Sequence, residues 1–428
     1  MATALDPSRT PLSDLSLLDP SQYATDHYPY EAWDRLRAEP SIQRLDHEGI
    51  PYWAITRHAD ITTIGRQPEL FLSEPMLVVT PRYDDPERLT RPRTLIEQDL
   101  PLHRKSRRLI SNRFTPRALK TIHADIERIA KKIVDDLLAE LDEAGGELTV
   151  DFVDRVSAPL PIAVIAWMLG VPEADWRKLY DWTNRLIGFD DPEFVGDDPD
   201  AAMKLRDETN AELFGYFAHL VEARKKDPKE DLITLFAHAE IDGKPLDLID
   251  VLAWCQIIVV AGNETTRNAT SGGLHAFIEN PDQLQKIQED PDLLKPAVEE
   301  VVRWTSPIIH FARTASADTE FDGVKIRKGD HFALFYPSAN RDEQVFSDPY
   351  SFQIDRHPNR HIGFGVGEHF CAGAHVARLE LEMAFKYLLP RIESMEIDGQ
   401  IDRLQSNLIG GIKRLPVRYR LKSDSSCR

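Results

Sequence analysis

A cysteine in a glycine-rich turn is the feature of this sequence best suited to chemistry. Residues 364–373 read F-G-V-G-E-H-F-C-A-G, and the residues that follow have helical periodicity. Cys371 is therefore expected at or just before a helix N-terminus, where unpaired N–H groups and the helix dipole favour the thiolate. A thiolate is a soft ligand suited to iron, and thiolate-ligated haem is the setting for O–O cleavage. The alternative is a buried cysteine that only packs.

A second candidate site lies in the middle of a long predicted helix, where 261–266 read A-G-N-E-T-T. Gly262 inside a helix costs about 1 kcal/mol relative to alanine. The close approach of another helix explains it, and so does a groove that admits a small ligand. Glu264 and Thr265, next to an apolar run, form an acid–alcohol pair that could relay protons to a bound molecule.

Cationic and imidazole groups recur along the chain. His103 and Arg107 share one helical face, Arg313 lies in a predicted strand, and His369 comes two residues before Cys371. A buried haem carries two propionates that need donors, and arginine and histidine side chains suit that function. Each of these groups has an alternative as an ordinary solvated charge.

A zinc cluster is a further alternative for the same segment. His369, Cys371 and His375 offer nitrogen and sulfur ligands at short spacing. A fourth ligand is not evident nearby, and zinc does not require a glycine-rich turn.

One charged group has the spacing of a structural triad. Glu300 and Arg303 lie three residues apart, on one face of a predicted helix. Arg356, in the irregular D-R-H-P-N segment, could complete a buried triad that fixes this segment to the core. A surface ion pair worth a few tenths of a kcal/mol is the alternative.

The elements that must position these residues are mainly helical, with short strands clustered towards both ends. Residues 1–27 are expected to form an N-terminal arm over the surface, and 28–428 a single domain without a linker. The longest helix is predicted over 247–279, and strands are predicted over 308–315, 321–326 and 331–336. The loop 72–98 is long enough to be a lid or a binding loop.

Composition narrows the functional classes. The net charge of −19 argues against nucleic acid or an anionic membrane as the main partner. Three cysteines without paired spacing argue against a disulfide framework and are typical of a reducing, cytoplasmic compartment. We expect no leader sequence, since the N-terminus lacks an apolar run, and no membrane span, since the most apolar stretch, near 251–261, is short.

Taken together, the motifs resemble the cytochrome P-450 family. F-x-x-G-x-x-x-C-x-G at 364–373, E-x-x-R at 300–303, A-G-x-E-T-T at 261–266 and H-x-x-x-R at 103–107 occur in the family's order. The resemblance to a soluble bacterial member covers nearly the whole chain after about residue 25. It implies a mainly α cytochrome P-450-type fold, with an α-helical bulk, small β-sheets and a long central helix across haem b.

The resemblance also implies roles for individual residues. Cys371 becomes the axial thiolate ligand of the haem iron, and Phe364 packs near it. The propionates are bound by His103, Arg107, Arg313 and His369. Glu264 and Thr265 form the acid–alcohol pair for oxygen activation, and the structural triad is Glu300, Arg303 and Arg356. The implied substrate pocket comprises Ile257, Ile258, Ala261 and Ile308, with 72–98 and 185–200 as lids.

The implied activity is hydroxylation of a small hydrophobic substrate. One oxygen atom of O2 enters the substrate, and two electrons come from a separate iron–sulfur ferredoxin and its NAD(P)H-dependent reductase. The segments at 304–365 resemble the terpineol-hydroxylating group, which favours a terpenoid, alicyclic or alkylaromatic substrate. N-E-T-T-R at 263–267 instead resembles members that oxidise steroid or branched alkyl side chains.

Two other functions are considered besides a ferredoxin-dependent monooxygenase. A peroxide-driven enzyme is expected to have an altered acid–alcohol site, and a non-catalytic haem sensor would not need Thr265.

A basic patch for an acidic ferredoxin could be formed by Arg104, Lys105, Arg108, Arg360 and Arg378. The alternative is that these cations are scattered surface charge.

Overall fold

A computed structural model of the chain describes residues 11–25, 28–80, 93–188, 190–196 and 199–422. The helices are α1 Tyr30–Ala38, α2 His58–Gly65, α3 Leu102–Ser111, α4 Pro116–Glu143, α5 Pro159–Leu169, α6 Trp176–Ile187, α7 Pro192–Val195, α8 Pro199–Lys226, α9 Leu232–Ala237, α10 Leu248–Glu279, α11 Pro281–Glu289, α12 Leu294–Thr305, α13 Tyr336–Ala339 and α14 Ala374–Leu388. The strands are β1 Gln43–His47, β2 Ile50–Ile55, β3 Phe71–Leu72, β4 Glu147–Asp151, β5 Glu240–Ile241, β6 Lys244–Pro245, β7 His310–Ala315, β8 Thr319–Phe321, β9 Val324–Ile326, β10 His331–Phe335, β11 Ile392–Ile397, β12 Asp402–Arg403, β13 Ile412–Arg414 and β14 Pro416–Leu421.

Small sheets flank the helical bulk, so the predicted mainly α class is confirmed. The larger sheet has the order β1-β2-β10-β7-β3, and a smaller one has the order β11-β14-β4. Strand β10 pairs in parallel with β2 and antiparallel with β7. Because β2 lies near the N-terminus and β7 and β10 lie after residue 300, this sheet joins distant parts of the chain.

Helix α10 runs through the centre of the helical bulk. Its 32 residues, at 1.5 Å each, span about 48 Å. It packs against α5, α6, α8, α12 and α14. Among the described residues it alone is long and apolar enough to cross a membrane by length and composition, and half of its most apolar window is buried. These two criteria do not separate a membrane span from a core helix, and the packing of α10 is that of a core helix.

Local signals fixed several element boundaries. The T-P-R sequence at 115–117 predicts that Thr115 caps a helix beginning at Pro116, and its hydroxyl accepts a hydrogen bond from the Ala118 N–H at 3.1 Å. The pattern also predicts a helical block over 150–169. This block is confirmed for 159–169, which form α5, whereas 150–151 belong to β4 and a π-helical turn at Val153–Ser157 precedes α5. Strand β4 pairs with β14, which is more than 260 residues away in sequence, so the local pattern could not reveal it.

The arm predicted at the surface and part of the 72–98 loop both pack into the core. Leu15, Leu17 and Leu18 of the N-terminal arm are buried against α1 and β2, so this part does not lie on the surface. The apolar run 76–79 is also buried, and the Ala312 N–H donates to the Leu77 carbonyl at 2.7 Å. Residues 81–92 of the predicted 72–98 lid lie outside the described residues.

Candidate active site

The turn that carries Cys371 is shaped by close backbone packing. Gly367 has a φ of +74°, and a Cβ atom there would overlap the carbonyl oxygen of Gly65 at the end of α2. The Cys371 N–H donates to the Phe364 carbonyl at 2.9 Å, which closes the turn. Helix α14 begins at Ala374, so Cys371 lies just before its first turn, as predicted.

The thiol of Cys371 experiences opposing electrostatic effects. Burial raises its pKa, while the N–H groups of Gly373 and Ala374 and the charges of Arg107 and Arg378 lower it. The pKa is raised overall, which corrects the expectation that the helix N-terminus alone favours the thiolate. A metal ion deprotonates a thiol that coordinates it. Cys371 is therefore expected to be a thiolate when it binds a metal ion and a thiol otherwise.

Two arginine side chains, Arg107 near Cys371 and Arg313 near His369, have no carboxylate partner among the described residues. Arg313 of β7 is almost completely buried, and its Nη1 donates to the Ala312 carbonyl at 2.7 Å. Arg107 of α3 is partly buried. Burial lowers the pKa of both guanidinium groups. Buried cations without anionic partners are unfavourable, so both arginines are suited to an anionic ligand.

His103 and His369 lie against each other, with ring centroids 4.3 Å apart. Burial, followed by the charges of Arg313, His103 and Arg107, lowers the pKa of His369 to about 2. Burial also lowers the pKa of His103. Both rings are therefore neutral near pH 7, and each keeps one N–H to donate.

Ser73 and Glu368 complete the surroundings of this histidine pair. The Ser73 hydroxyl lies 3.1 Å from His369 Nε2. Among the described residues His103 Nδ1 has no hydrogen-bond partner, and it lies 3.7 Å from Glu368 Oε1. Two neutral imidazoles beside two unpaired guanidinium groups form a donor set that fits the two propionates of a haem.

The zinc alternative is not supported by the arrangement of side chains. In the described part of the chain, no group of three histidine, cysteine, aspartate or glutamate side chains could hold a metal ion together. His375 is exposed on α14.

The predicted charged triad is present and completely buried. Arg303 donates from Nε and Nη2 to the two carboxylate oxygens of Glu300, both at 2.7 Å. Arg356 Nε lies 3.2 Å from Glu300 Oε2. Both arginines also donate to backbone carbonyls of the irregular segment, including that of Ser351. The triad therefore ties this segment to α12.

Glu264 and Thr265 are neighbours in sequence whose side chains have different partners. Glu264 is buried, and its Oε1 accepts from Asn263 Nδ2 at 3.0 Å and Arg267 Nη1 at 3.3 Å. The Thr265 hydroxyl donates to the Ala261 carbonyl at 2.9 Å. No direct hydrogen bond joins the two side chains.

The middle of α10 combines close packing with an open face. A Cβ on Gly262 would lie 2.5 Å from Ile165 Cδ1 of α5, so this glycine allows the two helices to approach. Ala261 is exposed, and Ile258 and Thr265 are partly exposed, although α10 is otherwise a core helix. This face is open to a bound molecule.

The predicted pocket residues divide into two groups. Ile258, Ala261 and Ile308 are accessible, whereas Ile257 packs in the core cluster with α5. Of the predicted 185–200 lid, 190–196 includes the short helix α7, which the sequence pattern did not indicate.

Comparison with known proteins places the chain in a family. The cytochrome P-450 family model matches residues 78–422. A steroid C26-monooxygenase from Rhodococcus jostii is 36% identical over 95% of this chain and 84% of its own length. Cytochrome P-450-terp from a Pseudomonas species is 36% identical over 94% of this chain and 95% of its own length. A solved cytochrome P-450 structure from Mycobacterium marinum, in complex with pseudoionone, has a TM-score of 0.87 and 34% identity over 96% of this chain and 99% of that one.

A helical fold with a loop cysteine at a helix N-terminus and a donor set for propionates defines a haem-thiolate enzyme. The chain belongs to the cytochrome P-450 family. It is a monooxygenase, and its cofactor is haem b.

Several partners of the site were not predicted as such from the sequence. Asp99 accepts from the N–H groups of Ser73 and Glu74, both at 2.8 Å, and fixes the start of the 72–98 loop. Arg378, predicted to belong either to a basic patch or to scattered surface charge, pairs with Glu299 through both carboxylate oxygens. The contact joins α14 to α12, 79 residues earlier in the chain, so local spacing does not indicate it.

Proposed function

We propose that this cytochrome P-450 hydroxylates a small hydrophobic substrate of terpenoid, alicyclic or alkylaromatic type. O2 supplies the oxygen atom, and a separate iron–sulfur ferredoxin with its NAD(P)H-dependent reductase supplies two electrons, in the cytoplasm. The observation that carries this proposal is the Cys371 thiol just before α14, with the unpaired guanidinium group of Arg107 near it and that of Arg313 near His369.

The residues around Cys371 would hold the haem. Cys371 Sγ would be the axial ligand of the iron, with the N–H groups of Gly373 and Ala374 directed at the sulfur. The propionates would be bound by His103, Arg107, Arg313 and His369. When bound, a thiolate-ligated haem supplies the chemistry of O–O cleavage.

Residues in the middle of α10 would transfer protons to the bound molecule. Thr265 lies on the open face, and its hydroxyl donates to the Ala261 carbonyl. By turning away from that carbonyl, the hydroxyl would donate its one proton to a molecule bound on this face and would take a proton in exchange from a neighbouring donor. Glu264 would resupply that proton. Because its carboxylate is bonded to Asn263 and Arg267, Glu264 must change rotamer or act through water to reach Thr265. We therefore assign Glu264 to proton supply and Thr265 to direct contact with the reacting molecule.

The electron donor would bind near the Cys371 loop. Of the cations proposed for a basic patch, Arg104 pairs with Glu368 at 3.2 Å and Lys105 with Asp242 at 2.5 Å. Arg108 and Arg360 have no ion-pair partner among the described residues and are exposed. These two cations are the ones free to attract an acidic ferredoxin.

A second candidate substrate class is a steroid or branched alkyl side chain. The named steroid C26-monooxygenase is as similar to this chain as cytochrome P-450-terp is, at 36% identity. The N-E-T-T-R sequence at 263–267 favours the same alternative.

A binding screen separates the two classes. Purified enzyme is titrated with terpenoids, alkylaromatics, steroids and methyl-branched lipids, and the shift of the haem spectrum on displacement of bound water is recorded for each. Saturable shifts with terpenoids, followed by their hydroxylation with ferredoxin, reductase and NAD(P)H, support the first class. Shifts only with steroids or branched lipids would replace it with the second.

A further inference from the structure

Arg378 lies on the second turn of α14 and is held in a fixed orientation. Its Nε and Nη2 lie 2.5 Å and 2.9 Å from the two carboxylate oxygens of Glu299. This two-point pairing fixes the plane of the guanidinium group. Glu299 also lies 2.9 Å from His361 Nε2, and Arg378 Nη1 lies 3.4 Å from the Ala374 carbonyl.

The fixed guanidinium group covers the Phe364 ring, with its central carbon 4.4 Å from the ring centroid. Phe364 is also the residue whose carbonyl accepts the Cys371 N–H at 2.9 Å. Arg378 therefore contacts, through one aromatic ring, the residue that closes the Cys371 turn. A planar guanidinium can stack in this way, and an ammonium group cannot.

The Glu299 carboxylate stays ionised near pH 7 in this pairing. Burial raises the pKa of Glu299, but its bonds to His361 and Arg378 outweigh this and bring the pKa to about 2. Arg378 is also one of the two cations whose charge acts on the Cys371 thiol. Its donors already engage Glu299 and Ala374, so it is poorly placed to bind a carboxylate of a partner protein.

We propose that Arg378, oriented by Glu299, is a positioning residue that holds Phe364 on the Cys371 turn and raises the electron affinity of the thiolate-bound iron. The inference rests on the proposed role of Cys371 as the axial ligand. Loss of the cation removes a positive charge near the iron, which disfavours the added electron. Loss of Arg378 also removes the contact that holds the Phe364 ring on the Cys371 turn.

The test measures the haem reduction potential of the purified holoenzyme by spectroscopic titration. In Arg378→Gln the ratio of reduced to oxidised haem at a fixed applied potential falls by roughly threefold or more. Arg378→Lys keeps the positive charge but loses the planar group that stacks on Phe364. Its ratio of reduced to oxidised haem is therefore expected to lie between those of Arg378→Gln and the wild type. Arg128→Gln removes an exposed charge on α4 that does not touch Phe364 and leaves this ratio unchanged. Far-ultraviolet circular dichroism checks that each variant is folded.

The outcomes separate this inference from the assignment of Cys371. If the wild type shows a thiolate-type spectrum but Arg378→Gln keeps its potential, the positioning role is wrong and the haem-thiolate assignment stands. An equal shift in Arg128→Gln would also overturn the role, because general surface charge would then explain the effect. If the wild type itself lacks a thiolate-type spectrum, the proposed function fails first.

Discussion

At Cys371, burial opposes the ionisation that a metal ligand requires. Burial raises the pKa of the thiol more than two backbone N–H groups and two nearby arginines lower it. The free protein is thus expected to hold a thiol, and coordination drives deprotonation. The sequence revealed the cysteine and its helix but not the degree of burial, which depends on α2 and α3 packing over the turn.

At Thr265, we expect the hydroxyl to be needed for productive use of oxygen. In Thr265→Ala the proton donor on the open face of α10 is lost, so product formed per NADH falls by about tenfold or more while NADH is still consumed. Simultaneous measurement of NADH, hydrogen peroxide and product checks this.

Thr265→Ser is the matched control, because it keeps the hydroxyl and is expected to retain most of the coupling. Unchanged coupling in Thr265→Ala would contradict the proposed proton role and favour a haem protein that does not activate oxygen.

Residue types and spacing predicted the triad and Cys371 well, but not the partners of Glu264. Glu300 and Arg303 are three residues apart on one helix, so their contact follows from helical geometry. Arg267 binds both Glu264 and Asn184 of α6, which lies 83 residues earlier in the chain. Such a contact depends on how α6 packs on α10, which the local sequence pattern does not specify.

At the scale of elements, the triad fixes the irregular segment before the Cys371 turn to α12. Glu300→Gln leaves Arg303 and Arg356 buried with uncompensated charge, which is expected to lower the free energy of unfolding by about 3–5 kcal/mol. Denaturant unfolding followed by circular dichroism measures the change, and haem content is expected to fall with it.

Asp136→Asn provides the control for this prediction. Asp136 pairs with Lys132 at 2.6 Å on the exposed face of α4, and such a pair is worth less than about 0.5 kcal/mol. If Glu300→Gln were no more destabilising than Asp136→Asn, the triad would not fix the segment.

Helix α7 is attached to β13 by charged groups. Lys413 Nζ lies 2.9 Å from Asp191 and 2.8 Å from Glu193, and Arg414 also pairs with Glu193. The Arg414 and Lys413 bonds outweigh burial and lower the pKa of Glu193 to about 2. Since the folded pKa lies below the usual value of 4.5, this pairing stabilises the fold above about pH 4.5 and is lost as the pH falls towards 2.

Glu193→Gln is therefore expected to weaken the attachment of α7. At pH 7, the amides of 190–196 should exchange faster with deuterium than in the wild type, and the acid dependence of the unfolding free energy between pH 4.5 and 2 should become shallower. Hydrogen exchange with mass spectrometry, combined with denaturant titrations, measures both effects. The effect on stability is small because the pair is partly exposed.

Glu396→Gln is the control. Glu396 of β11 pairs with Arg418 of β14 at 3.1 Å, in a different sheet from β13. Unchanged exchange at 190–196 in Glu193→Gln would show that apolar packing alone holds α7.

Element prediction succeeded where a strong local signal was present. The amphipathic pattern of 176–187 and the preceding G-V-P-E predict a helix, and α6 has these bounds. The strand predicted over 321–326 instead forms two strands, β8 and β9, because Asp322 and Gly323 adopt positive φ and make a turn. The D-G pair is typical of a hairpin turn, but the apolar residues on both sides of it favoured the prediction of one continuous strand.

At the scale of the molecule, a net charge of −19 coexists with a few unpaired cations near the Cys371 loop. If an acidic ferredoxin binds there, its rate of electron transfer should fall as ionic strength rises. Arg108→Glu should lower the rate further at low salt, because it reverses one of the free cations. Stopped-flow reduction at several salt concentrations measures this.

Lys204→Glu, on α8, reverses an exposed cation outside α3 and the Cys371 loop and is expected to have a smaller effect. If the rate of electron transfer did not change with salt or with Arg108→Glu, the proposed basic patch would be wrong.

The central claim concerns the class of chemistry that the Cys371 turn makes possible. The spectrum of the reduced enzyme under carbon monoxide tests it most directly, because the Soret position distinguishes a thiolate ligand from a nitrogen ligand or a neutral thiol. We expect a Soret band at the thiolate position in the wild type and its loss in Cys371→Ala, with the Cys255→Ala control unchanged. A wild-type band at the position of a nitrogen-ligated haem, or a thiolate-type band that persists in Cys371→Ala, would contradict the account.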